Sequence, residues 1–460
     1  MLHCCQFKEN ALFPVRDQHN ASIWEPAGPI IVYLFLIMLA GRLLRLSWRY
    51  AVNIFFWDQW VFHDADLFQK HSLWEMFRWQ FGPHRLGLGP LLSKLVEAPF
   101  HWDSRVQSYA ACGVVTIAAV CAIWLKKRLF GDIALWDIVI PIVYLSATQY
   151  GSLFGTSDFA HGPLPLLLVT LYCLAWTVPN LLVRYVLVLT LNFLTIYTGF
   201  GLFLGIITPL LVGFDYWRNL RTRSNGRLYF AAGLLVSVAS LGSFFIGYTL
   251  QPAVDCFTIR PQAPHRYFAF VSLMYANFWA KDAKLVTMLI GSAAVLWLLW
   301  SLLSALWAMS RSQDLAWLRK AIPVTLIAFS LLFAFNTAYG RLCLGLSSAQ
   351  ASHYSNYLAL GLFGAYLHLL TLRTPGLRQA ALVVCAVAFL ATLPIRIGDR
   401  AAMKYFSEIK QNWKSCYLAG GTISECDRYA GFKIEPEGET TLQEKLQFLQ
   451  RNRLNLFAGQ

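Results

Sequence analysis

The chain has 460 residues, a formal net charge of +14, 57% hydrophobic and 15% aromatic residues, and only 13% charged ones. A soluble domain of this length has no use for so much apolar surface, and runs of about 17–25 apolar residues, the length that crosses a bilayer as helix, recur along it. The composition excludes an ordinary soluble enzyme. The basic balance does not require nucleic acid, because Lys and Arg gather in short loops where membrane topology itself places them.

The expected fold is an all-α polytopic membrane protein. About eleven spans fall near 27–47, 106–125, 133–148, 163–179, 182–197, 200–217, 229–250, 284–308, 321–338, 354–372 and 379–396. The first apolar run, Pro29 to Leu46, is followed by Arg-rich sequence and has no small-residue cleavage site, so it reads as a retained span. Lys126, Lys127 and Arg128, then Arg218, Arg221, Arg223 and Arg227, then Arg311, Arg319 and Lys320, then Arg373 and Arg378 all fall on one side if the N-terminus is cytoplasmic. The opposite loops 149–162 and 198–199 hold no Lys or Arg. An odd number of spans leaves the C-terminus outside, with outside segments at about 48–105, 251–283 and 397–460. Residues 1–396 thus read as the transmembrane domain and 397–460 as a small extracytoplasmic tail.

The first outside loop, 48–105, is too polar to span and too aromatic to hang free. Trp57, Trp60, Phe62, Leu67, Leu73, Trp74, Phe77, Trp79 and Phe81 recur among polar residues, as in amphipathic helices at an interface. Asp58 lies between Trp57 and Trp60, where it is either a general base for a hydroxyl or the cap of an interfacial helix. Asp64 and Asp66 form a D-x-D pair whose oxygens would suit a divalent cation, although solvated helix-start carboxylates explain so common a pattern better. No metal site and no firm cofactor is expected. His84 and Arg85 follow a Gly82-Pro83 turn signal, and the arginine fork suits phosphate as well as lipid headgroups or acidic neighbours.

Farther along, loop 149–161, with Asp158 and His161, either lines a sugar pocket or simply connects two spans, and the connector is favoured. The aromatic stretch Tyr267 to Phe278 lies along the interface or dips into it, and Arg260 and Arg266 beside it are further phosphate candidates. Arg341 ends span nine on the outside, against the charge bias, which makes phosphate binding a fair reading. His353 would assist it or bond locally. In the tail, Thr441 to Glu444 fits a capping box, and Leu442, Leu446 and Leu449 make one helical face for docking on the membrane domain. Cys416 and Cys426 form a disulfide if the tail meets an oxidising compartment, and are free thiols otherwise.

At these residues the chain resembles the GT-C superfamily, membrane-embedded glycosyltransferases that use polyprenyl-phosphate sugars. Those enzymes place an essential Asp or Glu in the first extracytoplasmic loop near the end of the first span, and Asp58 stands there. It is more closely similar to a group of uncharacterised bacterial polytopic membrane proteins. Their first loop reads approximately D-D-W, then G-x-L-x-x-L-W, then H-N-E-H-R. The matching strings are Asp58-Gln59-Trp60, Ser72-Leu73-Trp74 and Gly82-Pro83-His84-Arg85. An arginine after a late span matches Arg341, the following S-R-Y is Ser352-His353-Tyr354 here, and a tail with paired cysteines and an L-Q-E-K-L ending matches Leu442 to Leu446. Gln59 replaces the second acid, so a second carboxylate would have to come from Asp64 or Asp66.

The resemblance implies a GT-C-like fold in the bacterial inner membrane, with the N-terminus cytoplasmic and the C-terminus periplasmic. It implies transfer of a sugar from a polyprenyl-phosphate donor to a hydroxyl of a glycan, glycolipid or protein acceptor, with inversion. Arg341, with Arg85, His84 and His353, would bind the donor phosphate, and Asp58 would deprotonate the acceptor. Membrane lipid is a further partner and nucleic acid is not. The rival reading is a transporter or flippase of a lipid-linked sugar, which would also need phosphate-binding arginines. Such carriers often carry inverted repeats and charged helix midpoints, whereas this chain has no visible repeat and its clearest ionisable span residue, Asp137, lies towards one end.

Overall fold

The computed structural model describes residues 27–63, 72–221, 227–252, 254–259, 262–311, 317–435 and 439–459. Asp64, Asp66 and Arg260 lie outside these. The described chain is all-α apart from one two-stranded hairpin, Gln80–Phe81 with His84–Arg85.

Among the described residues four helices are long and apolar enough to cross a membrane: α1 (Ala27–Tyr50), one within Ser104–Phe130, one within Leu285–Ser310, and one beginning at Leu318. Shorter apolar helices run over Pro163–Ala175, Leu181–Ile196, Leu228–Phe244 and Pro375–Leu390. The remaining stretches expected to span are helical too, at Leu202–Arg221 and Ser355–Leu369. On α1, Val32, Leu36, Leu39, Leu43, Ser47 and Tyr50 are buried at three- and four-residue spacing, while Ile30, Leu34, Ile37 and Met38 are exposed. A helix in water would not expose so apolar a second face, and hydrocarbon would cover it at no cost.

One expectation is corrected in the bundle, and one left open between two alternatives is decided. The stretch 133–148 is a broken element and not one continuous helix. A short helix, Val139–Tyr144, lies between turns of 3₁₀ helix at Leu135–Ile138 and Ala147–Gln149, followed by a π-helical Gly151–Gly155. The segment 264–276 forms a helix, α2 (Pro264–Ala276), whose second half, Phe270 to Ala276, is buried in the bundle. It dips inward because Gly291 lets the neighbouring helix approach: a Cβ there would meet the Ser272 carbonyl oxygen at 1.8 Å. Asp137 is buried and bound, its carboxylate 2.7 Å from Lys126 Nζ and accepting from Tyr366 Oη at 2.6 Å and Ala134 N at 2.7 Å. This is a structural tie between three segments.

A second, smaller core lies at one end of the bundle. Ile54, Phe55, Phe56, Trp60, Met76 and Trp102 from the first loop pack there with Ile409, Trp413, Leu442, Leu446 and Leu449 from the tail. The tail helix α3 (Ile397–Leu418) anchors it. Lys410 is buried beneath the Phe56 ring, 5.1 Å from its centroid, and donates to the carbonyls of Phe154, at 3.1 Å, and Gly155. Asn455 closes the far side, donating through its backbone to the His101 carbonyl at 2.7 Å and through its side chain to that of Trp102 at 2.7 Å. The expected cap at Thr441 is corrected: that helix already runs from Glu439 to Arg451, so Thr441 lies inside it. Capping boxes stand instead at Ser72–Glu75 and Thr422–Glu425. Disulfides join Cys416 to Cys426 within the tail and Cys256 to Cys343 between the loop before α2 and the end of the Leu318–Arg341 helix. The second pair was not anticipated from the sequence.

Candidate functional site

The hairpin positions its two polar residues on opposite faces, because side chains alternate along a strand. Arg85 turns inward and is buried. Its guanidinium donates to the carbonyls of Arg78, of Phe244 at 3.2 Å and of Ile246 at 2.6 Å. That binds the hairpin to the end of the Leu228–Phe244 helix, assisted by Tyr248 Oη donating to the Pro83 carbonyl at 3.2 Å. The fork expected to meet phosphate is thus largely spent on backbone.

His84 points the other way. Its ring lies 4.3 Å from Phe200 and 5.6 Å from His161, centroid to centroid, and it bonds the Gly199 backbone. Gly199 has φ +34°, and a Cβ on it would meet Tyr357 Oη at 2.6 Å and the Ala160 carbonyl at 2.7 Å. Only glycine lets this turn pass so close. Burial, then the neighbouring His161 and Arg341, hold His84 well below the ordinary imidazole range.

Loop 149–161, favoured above as a connector, supplies the most developed polar arrangement at this point. Asp158 accepts from Ala160 N at 2.7 Å and His161 N at 3.2 Å, and pairs with His161 Nδ1. These bonds orient the imidazole and favour a proton on Nδ1, which leaves Nε2 as the nitrogen able to take one up. Asp158-x-x-His161 is a turn whose carboxylate caps its own backbone, a signal that was readable as local chemistry but not as a site.

Arg341 arrives at the end of the Leu318–Arg341 helix, half-buried, and donates from Nη1 to Tyr354 Oη at 3.1 Å. His353 follows from the 3₁₀ turn Ser352–Tyr354. Burial, then Arg341 and His161, push it down to about 3. His84, His161, Arg341 and His353 therefore sense one another although they come from four separate segments. The cluster presents one fixed guanidinium charge and, on His84 and His353, neutral imidazole N–H groups, a set that can hold a phosphate with charge on one side and neutral donors on the others. Beside it, the buried Asn356 Oδ1 and Ser355 Oγ have no hydrogen-bond partner among the described residues.

Asp58 opens the four-residue helix Gln59–Phe62 with helical φ and ψ, and its side chain makes no capping bond to that helix. The capping alternative is therefore not realised. Phe62, one turn on and so on the same helix face, packs its ring 5.9 Å from His161. Gln59 is buried and ties the same two segments, donating to Gln107 Oε1 at 2.9 Å and to the Ser157 carbonyl at 2.9 Å while accepting from Phe56 N at 3.1 Å. A carboxylate could not make the two donations, a physical reason for the amide at this position. Trp57, immediately before Asp58, has φ +56° and is held there by donation to the Ile434 carbonyl of the tail at 2.8 Å. Left-handed backbone at a bulky residue is strained, and such strain concentrates where a neighbour must be aimed.

Arg266 lies in the first turn of α2. Among the described residues no group of three or more His, Cys, Asp or Glu side chains is gathered as for a metal ion. No protein-family model matches the chain, and no curated protein matches it.

Proposed function

We propose that the protein is an integral-membrane glycosyltransferase that moves a sugar from a polyprenyl-phosphate donor to a hydroxyl of an extracytoplasmic acceptor. The observation that carries this reading is the meeting of Arg341, His353 and His84 with the Asp158–His161 pair, against Phe62 of the Gln59–Phe62 helix that follows Asp58. Arg341 would hold the donor phosphate and stabilise the charge it gains as the bond from the anomeric carbon to phosphate oxygen breaks. The acceptor oxygen attacks that carbon and gives its proton to Asp58, the leaving phosphate keeps the bonding electron pair, and the configuration inverts. His161 is the second group able to take that proton.

In this reading about eleven spans place the cluster, the small lobe and the tail outside. Both disulfides support that side as oxidising: Cys343 lies two residues beyond Arg341, and Cys416–Cys426 lies in the tail. Cys112, Cys121, Cys173 and Cys385 are free and buried in helices. For the flippase alternative, Asp137 gives no support, since Lys126 and Tyr366 already engage it.

The test is sugar transfer by the purified full-length protein from a panel of polyprenyl-phosphate sugars, wild type beside Asp58→Asn and Arg341→Gln. The expected result is turnover that falls about 10²–10⁴-fold in a folded Asp58→Asn protein that still binds donor, together with weakened donor binding in Arg341→Gln. Donor binding without turnover, with candidate acceptors supplied, would favour the carrier. Turnover undiminished by Asp58→Asn would transfer the role of base to His161.

A further inference from the structure

A second cluster of cations stands apart from this site and shares no residue with it. Arg42, Arg45 and Arg49 are spaced three and four residues apart on α1 and so share one helix face. Arg400, from the first turn of α3, joins them around a cavity of about 290 Å³ whose other walls are Leu46, Tyr50, Ile395 and Met403. No acidic residue among the described residues lines it. Among the described residues none of the four arginines forms an ion pair, and the nearby Asp399 is taken by Arg396 at 2.6 Å and Lys281 at 3.6 Å.

Arg42 holds the wall together, donating from Nη1 to the Leu393 carbonyl at 2.6 Å and from Nη2 to the Leu145 carbonyl at 3.1 Å. Its Nε is buried without an acceptor. Arg45, Arg49 and Arg400 are exposed at the rim, with Arg49 5.5 Å from the Tyr50 ring centroid. Four like charges around one concavity repel unless an anion sits among them, and guanidinium forks match phosphate oxygens two at a time. The rest of the lining is apolar, and the same helix exposes Leu34, Ile37, Met38, Leu44 and Trp48, a surface suited to acyl chains. That continuity of charged pocket and apolar flank favours a lipid over a soluble anion.

We propose that the cavity between α1 and α3, lined by Arg42, Arg45, Arg49 and Arg400, binds a phosphate group carried as the headgroup of an anionic membrane lipid. The site does not depend on glycosyl transfer. The headgroup would bridge α1 to the start of the tail helix, so lipid occupancy would also steady the small lobe.

Native mass spectrometry of the purified full-length protein, titrated with phosphatidylglycerol and separately with phosphatidylcholine, tests this. Inorganic phosphate serves as the soluble competitor. The variants are the triple Arg45→Gln/Arg49→Gln/Arg400→Gln and, as an exposed-charge control on another helix, Arg378→Gln. The expected result is saturable binding of phosphatidylglycerol, about tenfold or more weaker in the triple variant, unchanged in the control, and not displaced by phosphate. Equal binding by wild type and triple variant would overturn the site. Binding of inorganic phosphate in place of lipid, with the same arginine dependence, would keep the phosphate site and overturn the lipid assignment. Should the triple variant fail to fold, Arg49→Gln alone, whose side chain is exposed, carries the same comparison with a smaller loss.

Discussion

Among the described residues two histidines pair with carboxylates, His63 with Glu97 and His161 with Asp158, the same chemical parts set in different surroundings. His63 and Glu97 are each 1% exposed in their side chains. The His63 ring stacks on Phe55 at 4.1 Å, Nδ1 meets the Gln59 carbonyl at 2.9 Å, and Nε2 lies 3.0 Å from both Glu97 oxygens. Both ring nitrogens are engaged and no substrate can reach them. The side chains of His161 and Asp158 are 20% and 9% exposed, and there the pairing engages Nδ1 beside Arg341 and His84. A histidine–carboxylate pair is therefore no sign of chemistry by itself. Access, and a second nitrogen with no bond among the described residues, separate the candidate arrangement from the structural one.

The sharpest way to break this contrast is to remove each histidine in turn. His161→Asn is expected to lower sugar transfer by about 10²–10⁴-fold with little change in melting temperature, read by steady-state rates beside thermal melts. Unaltered turnover would remove His161 from the site. His63→Leu is expected to do the reverse, costing about 3–5 kcal/mol of stability by leaving Glu97 buried without its partner. Activity per folded molecule should stay the same, and a stable but inactive variant would reverse the assignment.

Titration sharpens the comparison further. Burial lowers the His63 value, but the charge and hydrogen bond of Glu97, the Gln59 carbonyl and Asp158 outweigh it, so the net shift is upward. A raised value stabilises the fold fully below the unfolded value of about 6.5, and that contribution is lost as pH rises through the folded value. His63→Leu should remove this alkaline decline from a pH series of melts. His353 behaves oppositely. Its value of about 3 makes stability fall as pH drops from about 6.5 towards 3. The ring is then neutral between about pH 7.5 and 6, so it meets a phosphate as an N–H donor without taking up a proton. His353→Gln, which keeps a donor, should leave the pH dependence of donor affinity over that range unchanged in binding titrations, and a slope lost in the variant would show that the ring charges on binding.

A last effect of pH concerns Lys410, which burial pushes down to about 7. Its unfolded counterpart keeps the proton to about 10.5, so stability contributed by this residue rises with pH between about 7 and 10.5. Lys410→Met should abolish that rise in melts of the full-length protein. A rise that persists would place its origin elsewhere, with Lys414 the next group to examine.

Much of the architecture was readable one segment at a time. The helices at 27–50, 104–130, 285–310 and 318–341 lie where apolar runs of spanning length occur, because hydropathy and length are local properties. Leu442, Leu446 and Leu449 turned inward as their spacing requires. The site was legible only in part. Arg341, His353 and His84 stood out as polar residues at apolar boundaries. Nothing local distinguished His84 from Arg85, and the hairpin that sends one to the cluster and the other to the Phe244 and Ile246 carbonyls needed its partner segment to be in place. In the sequence His161 belongs to a short connector, because His84, Arg341 and His353 are far from it in the chain.

By itself the sequence determined an apolar, helix-rich chain with a polar first loop and a tail whose cysteines, ten residues apart, are close enough to pair. Each of these follows from composition, period or short separation. Only the tertiary structure decided that four segments bring His84, His161, Arg341 and His353 together, that Cys256 reaches Cys343 across 87 residues, and that Arg400 closes a pocket begun by Arg42. Those contacts depend on how helices pack, and packing is fixed by the shapes of whole faces meeting in space, which no stretch of chain specifies alone.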